Sequence, residues 1–301
     1  MHILLLGKNG QVGWELQRAL APLGRVTALD RHSIEFCGDL TQPEELAQTI
    51  RALKPNVIVN AAAYTAVDKA ESEPMLARQI NADILAVLAT EANKLGAWLI
   101  HYSTDYVFNG EGCIPWQEDA ITAPLNIYGA TKLAGENIIA QNCKRHLIFR
   151  TSWVYGTRGN NFAKTMLRLA KERAELGVIN DQVGAPTGAD LIADCTAHAI
   201  RILISQRSQQ VPSLAGIYHL AASGETTWFE YAEQVFAHAR AQGVELKLET
   251  LNAIGTADYA TPAQRPLNSR LNTEKLCSAF NLTLPNWQQG VTRMLTEILE
   301  P

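Results

Sequence analysis

A glycine-rich turn near the N-terminus is the feature that most constrains the fold. The apolar run Ile3–Leu6 leads directly into GKNGQVG at residues 7–13, and a helical pattern follows. In this G-x-x-G-x-x-G spacing, Gly7 permits a sharp turn off the strand. Gly10 lets a pyrophosphate approach the backbone at the helix N-terminus, and Gly13 lets the helix pack close to the strand. Because the turn joins a predicted strand to a predicted helix, it predicts dinucleotide binding.

Strands and helices alternate through the first half of the chain. The predicted strands are Ile3–Leu6, Val26–Leu29, Val57–Asn60, Trp98–Ser103 and His146–Arg150. The predicted helices are Gly10–Leu23, Pro43–Leu53, Met75–Leu95 and Tyr128–Gln141. This alternation is typical of a parallel sheet with helices on both faces. We therefore predict an α/β fold, a Rossmann-type doubly wound parallel sheet at 1–150.

The alternation becomes less regular after residue 151. Helical patterns occur at Asn161–Lys171, Asp190–Ile204 and Trp287–Leu299, with strands at Leu176–Ile179 and Ile217–Leu220 and a loop at 252–269. Thr226 or Thr227 is a candidate cap for a helix that runs to Ala241. We predict that 151–301 forms a smaller C-terminal lobe interleaved with the sheet domain.

Composition excludes several classes of protein. The 301 residues are 47% hydrophobic and 19% charged, a balance that excludes wholesale disorder. A net charge of −4 without a basic stripe argues against nucleic acid as a partner. The apolar runs are far shorter than the roughly 20 residues of a membrane helix, so we expect no membrane association. The five cysteines are scattered without metal-ligand spacing, which favours buried or incidental thiols in a cytoplasmic protein and predicts no metal site.

Acidic residues follow the second predicted strand. Asp30 lies where a carboxylate accepts hydrogen bonds from the adenosine ribose, which favours NAD. Arg31 follows immediately and is able to pair with the extra phosphate of NADP, so the choice between NADH and NADPH stays open. Asp39 and Leu40 either border the adenine or form a turn before the next helix.

Tyr128 and Lys132 are four residues apart on a predicted helix and so share a face. A nearby ammonium favours the phenolate and lowers the pKa of a tyrosine. We expect Lys132 to act on Tyr128 in this way, so that the phenol gives a proton to a carbonyl oxygen as hydride arrives. The fourth predicted strand ends in Ser103 and Thr104, whose hydroxyls are candidates for holding that carbonyl. Together these residues predict hydride transfer.

Several motifs together resemble the dTDP-4-dehydrorhamnose reductase family, a branch of the extended short-chain dehydrogenases/reductases. They are GKNGQVG (7–13), NAAAYTAVDKAE (60–71), YSTDYVF (102–108), PLNIYGATKLAGE (124–136), RTSWVYG (150–156), INDQVGAPTGA (179–189) and RPLNSRLNTEKL (265–276). The resemblance covers nearly the whole chain. It implies reduction of the 4-keto group of dTDP-4-dehydro-L-rhamnose by NADPH or NADH, the last step of dTDP-L-rhamnose synthesis.

The resemblance also implies roles for individual residues. Tyr128 matches the proton donor, Lys132 its partner and Thr104 the hydroxyl that orients the ketone. The other positions matching cofactor contacts are Gly10, Gln11, Val12, Asp30, Asp39, Leu40, Ala63, Tyr64, Thr65 and Tyr102. Tyr64 is a departure, because relatives can carry His there, and the larger ring could alter contacts with the cofactor.

The resemblance assigns the dTDP-sugar substrate to the C-terminal lobe and the adjoining strand end. Thr104, Asp105, Tyr128 and Trp153 match positions that touch the sugar nucleotide. Asn161 opens a helix whose N-terminus is able to meet a diphosphate, and Arg265 is a candidate partner for the same group. The alternatives are a core indole for Trp153 and a surface side chain for Arg265.

Some members of the family are magnesium-dependent dimers, so the resemblance implies Mg²⁺ and a homodimer, although no motif places metal ligands here. Tyr106 follows Thr104-Asp105 where related dehydratases carry a second acid, which disfavours elimination of water. Epimerisation of a sugar nucleotide ranks third among the candidate functions. The rival from another class is a non-catalytic regulatory subunit, since one such subunit resembles this family.

Overall fold

The computed structural model describes residues 1–205 and 214–300. Its longer strands are β1 (His2–Leu6), β2 (Arg25–Leu29), β3 (Val57–Asn60), β4 (Trp98–Thr104) and β5 (His146–Thr151). The strands that follow are β6 (Val154–Tyr155), β7 (Glu175–Ile179), β8 (Val183–Gly184), β9 (Thr187–Gly188), β10 (Gly216–His219), β11 (Thr226–Thr227) and β12 (Thr250–Ile254).

Helices connect these strands. Those of the first half are α1 (Gln11–Leu20), α2 (Pro43–Leu53), α3 (Val67–Ala70), α4 (Pro74–Arg78), α5 (Ile84–Leu95) and α6 (Ile127–Asn142). Those of the second half are α7 (Phe162–Glu172), α8 (Ala189–Ser205), α9 (Trp228–Ala241), α10 (Glu274–Phe280) and α11 (Trp287–Leu299). Within the described ranges, none has the length and apolar character needed to cross a membrane.

The central sheet has six parallel strands in the order β10-β5-β4-β3-β1-β2. The predicted α/β, Rossmann-type fold is therefore confirmed. From β1 the chain moves outward to β2 and then returns across the sheet to β3, so the strand order reverses between β1 and β3. In an open α/β sheet, ligands bind beyond the carboxyl ends of the strands at such a reversal.

Alternate residues of β1 point to opposite faces of the sheet. Ile3 and Leu5 pack with apolar residues of α1, α8 and α10, whereas Leu4 and Leu6 pack with those of α2, α5 and α6. All four side chains are fully buried, which explains why the strand is a continuous apolar run in the sequence. The second half of the chain supplies β10, α8 and α10 to this sheet domain.

A separate apolar cluster forms the core of the C-terminal lobe. It joins α7, α9 and α11 to the parallel pair β7–β12. Thr227 caps α9, with its side chain accepting from Glu230 N in a capping box, so the second of the two candidate caps is used. β12 ends at Ile254, so the predicted loop at 252–269 begins too early by three residues.

The predicted helix Met75–Leu95 is interrupted. A π-helical turn at Gln79–Asp83 separates α4 from α5. It directs Asn81 toward the loop after β3, where its side chain accepts from Tyr64 N at 2.9 Å and donates to Tyr64 O at 3.1 Å. π-helical turns are frequent at functional sites, and this one fixes a loop that reaches the carboxyl edge of the sheet.

A buried ion pair joins β5 to α6. Arg150 donates to Glu136 from Nη2 at 2.6 Å and from Nε at 3.0 Å, and both side chains are at most 3% exposed. Ser103 also donates to Glu136. Separating the two side chains would leave each charge buried without a counterion, which is strongly destabilising. The pair therefore holds α6 close to β5.

We expect Glu136→Gln to lower the free energy of unfolding by about 3–5 kcal/mol, because it leaves the Arg150 guanidinium buried without a counterion. Urea unfolding at neutral pH measures the loss. Glu172→Gln is the matched control, since the Arg168–Glu172 pair is 60% and 52% exposed and is worth less than about 1 kcal/mol. Equal losses in the two variants would contradict the assignment.

Candidate active site

A cleft of about 1170 Å³ opens at the carboxyl edge of the sheet where the strand order reverses. This exceeds the roughly 300–1,000 Å³ of a pocket for one drug-sized ligand, so the cleft has room for a dinucleotide and a second ligand. The predicted site residues that line it are Gly7, Gly10, Gln11, Val12, Asp30, Arg31, Asp39, Leu40, Ala63, Tyr64, Thr65, Tyr102, Thr104, Asp105, Tyr128, Lys132 and Trp153.

The three glycines of the turn have different tasks. Gly7 has φ +86°, and a Cβ there would lie 2.7 Å from Ala62 N. A Cβ at Gly13 would lie 2.0 Å from Gly7 O, so Gly13 allows α1 to cross close to β1. Gly10 precedes α1 and lines the cleft, where its missing side chain leaves the helix N-terminus open to an anion.

Asp30 directly follows β2 at one end of the cleft. Its carboxylate accepts from His32 N at 2.9 Å and Ser33 Oγ at 3.1 Å. Desolvation acts to raise the pKa of Asp30, but these hydrogen bonds outweigh it and hold the pKa below its usual value. Arg31 lines the same end, so an ionised acid and a cation both face the place where an adenosine ribose would lie.

Tyr128 and Thr104 come together from α6 and the end of β4. Asn126 caps α6 by accepting from Gly129 N at 2.8 Å, which places Tyr128 in the first turn. Burial raises the pKa of Tyr128 to about 12, and a hydrogen bond with the Thr104 side chain acts in the opposite direction. A protonated, half-buried phenol beside a hydroxyl is suited to donating a proton to a carbonyl oxygen.

Lys132 lies one turn further along α6 and is 1% exposed. Its Nζ donates to Tyr102 O at 2.5 Å and lies 3.0 Å from His101 Nε2. Burial lowers the pKa of Lys132 to about 8, although the Glu136 carboxylate acts to raise it. The expected lowering of the Tyr128 pKa by Lys132 is absent, because burial raises that pKa instead. The expectation is therefore wrong for the protein on its own.

Asp105 follows Thr104 and is 2% exposed. Burial raises its pKa to about 6, while hydrogen bonds from Ser269 and Thr104 act to lower it. One carboxyl oxygen, Oδ1, accepts from Thr104 Oγ1 at 3.0 Å, and Oδ2 has no partner among the described residues. Asp105 lines the cleft, and its unpaired Oδ2 is buried.

Trp153 faces the cleft from a left-handed backbone conformation with φ +48°, which is uncommon for a bulky residue. Its ring stacks on Trp228, with centroids 3.6 Å apart and planes at 14°. A Cβ at Gly184 would lie 2.8 Å from the indole, so a glycine is needed beside it. Trp228 also lines the cleft and was missed in the sequence, because it begins a helix 75 residues away without a motif.

Two predicted substrate contacts do not line the cleft and stay predictions. Asn161 caps α7 and donates to Gly156 O at 2.7 Å, while the neighbouring Asn160 lines the cleft. Arg265 donates from Nη2 to Asp68 Oδ2 at 2.8 Å, and its buried Nη1 has no partner among the described residues.

The described residues, 1–205 and 214–300, hold no ready set of metal ligands. No group of three or more His, Cys, Asp or Glu side chains in these ranges is arranged to hold an ion. This donor set does not fit a Mg²⁺ site within one chain.

The fold and the cleft define a dinucleotide-dependent oxidoreductase of the extended short-chain dehydrogenase/reductase type. The sequence model of the RmlD substrate binding domain matches residues 1–300, and the chain belongs to this family. It is 63% identical to dTDP-4-dehydrorhamnose reductase from Escherichia coli K12 over 298 residues, covering 99% of this chain and 98% of that protein.

Solved structures of other proteins have a similar fold. Dehydrorhamnose reductase from Bacillus anthracis, crystallised with NADP, superposes with a TM-score of 0.85 and 36% identity over 98% of this chain and 99% of that one. UDP-glucose 4-epimerase from Thermus thermophilus has a TM-score of 0.76 at 19% identity over 99% of each chain, and it shares the fold alone.

We expect Asp105→Asn to stabilise the protein at pH 8. The Asp105 pKa of about 6 lies above its usual value, so its stabilising contribution is complete below about pH 4 and is lost as the pH rises through 6. Asn does not ionise, so the variant should gain about 1–3 kcal/mol at pH 8 and nothing at pH 4.

Urea unfolding at both pH values measures the difference. Asp194→Asn is the control, because Asp194 is 56% exposed and its replacement should change stability by less than about 1 kcal/mol at either pH. A gain for Asp105→Asn that is the same at pH 4 and pH 8 would rule out ionisation as its cause.

Proposed function

We propose that the protein reduces the 4-keto group of dTDP-4-dehydro-L-rhamnose to give dTDP-L-rhamnose, using NADPH or NADH. The observation that carries this is the meeting of Thr104, Tyr128 and Lys132 at the carboxyl edge of the sheet, inside a cleft with room for two ligands. The 63% identity to a dTDP-4-dehydrorhamnose reductase supports the choice of substrate.

The residues present fit a nicotinamide dinucleotide. Gly10, Gln11 and Val12 surround the open N-terminus of α1, which suits the diphosphate, and Asp30 and Arg31 suit the adenosine ribose. When bound, the reduced nicotinamide supplies the hydride for ketone reduction. Asp39, Leu40, Ala63, Tyr64, Thr65 and Tyr102 complete the proposed cofactor contacts.

Hydrogen bonds fix the position of Tyr64. Its hydroxyl donates to Glu73 Oε2 at 2.7 Å, and its backbone is bound on both sides by Asn81. The tyrosine therefore presents a fixed ring to the cleft rather than a mobile one. Its place in the lining of the cleft supports a contact with the proposed cofactor.

In the proposed reaction Tyr128 is the general acid. Thr104 orients the ketone oxygen, Tyr128 protonates that oxygen as hydride reaches C4, and Lys132 contacts the cofactor beside Tyr128. Asp105 Oδ2 accepts from a sugar hydroxyl, and the stacked indoles of Trp153 and Trp228 form an apolar wall for the sugar nucleotide. A buried site excludes water and strengthens each of these contacts.

We expect Tyr128→Phe to lower kcat by about 10²–10⁴-fold while NADPH still binds, because the substitution removes only the acidic proton. Stopped-flow or steady-state NADPH oxidation gives kcat, and fluorescence titration gives the cofactor Kd. Tyr218→Phe is the control, since Tyr218 does not line the cleft and its hydroxyl donates to Leu214 O. Full turnover by Tyr128→Phe would show that another group donates the proton.

The substrate is tested by supplying dTDP-4-dehydro-L-rhamnose and following loss of NADPH and NADH absorbance separately. We expect oxidation of reduced cofactor with both, since an acid and a cation line the adenosine end. Absence of turnover with every keto-sugar nucleotide, together with recovery of a stoichiometric protein partner, would favour a regulatory subunit instead.

The cytoplasmic location and the homodimer remain predictions. All five cysteines are free thiols, which is usual in a reducing compartment and supports a cytoplasmic enzyme. A homodimer follows from the resemblance alone, and sedimentation velocity would test it.

A further inference from the structure

The aromatic ring of Tyr106 lies beside the proposed proton donor. Tyr106 belongs to the short 3₁₀ turn Asp105–Val107 that follows β4, and it lines the cleft together with Tyr128. The two rings pack edge to face, with centroids 5.7 Å apart and planes at 81°. The ring of Tyr106 therefore forms the part of the cleft wall that adjoins the Tyr128 phenol.

Two backbone contacts fix Tyr106 relative to the reacting groups. Its N–H donates to Thr104 Oγ1 at 3.2 Å, so Tyr106 is tied to the hydroxyl that orients the ketone in the proposed reaction. A Cβ at Gly129, the residue after Tyr128, would lie 2.2 Å from Tyr106 O, so the first turn of α6 packs directly on this carbonyl. Tyr106 therefore has a fixed place relative to a ketone held between Thr104 and Tyr128.

The hydroxyl of Tyr106 lies beside a cation. Burial raises the pKa of Tyr106, and the neighbouring Arg265 guanidinium acts to lower it. Arg265 is in turn paired with Asp68, with Nη2 2.8 Å from Oδ2. Because the polar end of the Tyr106 side chain is engaged with this pair, its apolar ring is the part that is left for a ligand.

A 4-keto-6-deoxy sugar has one apolar substituent next to its carbonyl. The ketone carbon C4 lies between C3, which carries a hydroxyl, and C5, which carries the methyl group C6. The cleft wall at the end of β4 is polar at Thr104 and Asp105 and aromatic at Tyr106. A sugar hydroxyl against the aromatic ring would lose its hydrogen bonds to water without gaining a partner, whereas a methyl group there buries apolar surface.

We propose that the Tyr106 ring packs against the C6 methyl group of the sugar and so selects 6-deoxy sugars over sugars with a hydroxyl at C6. The inference rests on the proposed function, in which a 4-keto-6-deoxy sugar nucleotide is the substrate, and it names the residue that reads the substituent at C5. The contact also distinguishes the two flanks of the ketone, since only one of the carbons next to C4 carries a methyl group.

The stacked indoles form a second aromatic wall, which is placed differently. Trp153 and Trp228 lie with centroids 3.6 Å apart, so each covers one face of the other. Both also pack against the apolar core of the C-terminal lobe. This wall suits another part of the sugar nucleotide, and it offers a comparison in which an aromatic ring is removed from the same cleft.

The first test is NMR of the wild-type protein with NADP and dTDP-L-rhamnose, using protein labelled with ¹³C in its tyrosine rings. We expect a nuclear Overhauser effect between the C6 methyl protons and the ring protons of Tyr106. The Tyr106→Phe variant lacks that labelled ring and so assigns its signal. Absence of this effect while the nucleotide is bound would overturn the proposal without any measurement of activity.

The second test compares dTDP-L-rhamnose with dTDP-L-mannose, which differs only in carrying a hydroxyl at C6. Isothermal titration calorimetry with the NADP-saturated protein gives both Kd values. We expect the wild type to bind dTDP-L-rhamnose about 10–100-fold more tightly, the range that a contact with one small apolar group gives. A wild-type ratio near one, or no binding of either nucleotide, would overturn the proposal.

Two variants separate the ring of Tyr106 from its hydroxyl. Tyr106→Phe keeps the ring and should keep the wild-type ratio of Kd values. Tyr106→Ser removes the ring, so the ratio should fall below about 3-fold, mainly through weaker binding of dTDP-L-rhamnose. NADPH should bind to both variants as to the wild type, which shows that the cleft is intact. Loss of the ratio in Tyr106→Phe, or its persistence in Tyr106→Ser, would contradict the assignment.

Trp228→Leu is the matched control. It removes another ring from the cleft wall, so both sugar nucleotides should bind more weakly by the same factor and the ratio of their Kd values should not change. A loss of the ratio in this variant but not in Tyr106→Ser would show that the indoles read the methyl group and would overturn the proposal.

Turnover separates this inference from the proposed function. If the wild type reduces dTDP-4-dehydro-L-rhamnose but the ratio does not depend on the Tyr106 ring, the inference falls and the function stands. If the wild type reduces no keto sugar but the ring still governs the ratio, the function falls and Tyr106 keeps its role in selecting the bound sugar.

Discussion

The close packing of α6 against the end of β4 is the constraint on which the site depends. A Cβ at Gly129 would lie 2.2 Å from Tyr106 O, and a Cβ at Gly135 would lie 2.2 Å from Asn81 O. Both glycines are therefore required for the helix to lie where it does. The Arg150–Glu136 pair fixes the same helix from the side of β5. Tyr128 and Lys132 take their positions from this packing.

Much of the fold was predictable because its signals are local. The buried strands are short continuous apolar runs, and the turn at Gly7 needs a positive φ that favours glycine. Motif spacing also placed Thr104, Tyr128 and Trp153 at one cleft, because residues that end neighbouring parallel strands meet at the same edge of a sheet.

Where the structure differs from the expectations, the causes are ones that residue spacing does not contain. In the free protein Asn161 caps a helix and Arg265 pairs with the Asp68 carboxylate, so their contacts with a substrate stay predictions. The direction of the Tyr128 pKa shift depends on desolvation, which cannot be judged before burial is known. The contacts of His101 with Asn60 and Lys132 through its two ring nitrogens could not be predicted either, because a lone histidine in a strand has no sequence pattern.

The interleaved topology has a consequence for synthesis on the ribosome. α8, β10 and α10 cover or extend the central sheet, and they come after all its other strands in the chain, with α10 at Glu274–Phe280. Until that part of the chain has emerged, the face of the sheet that carries Ile3 and Leu5 lacks part of its cover. The nascent chain therefore exposes apolar surface until these elements have been made, a period in which chaperones have a binding target.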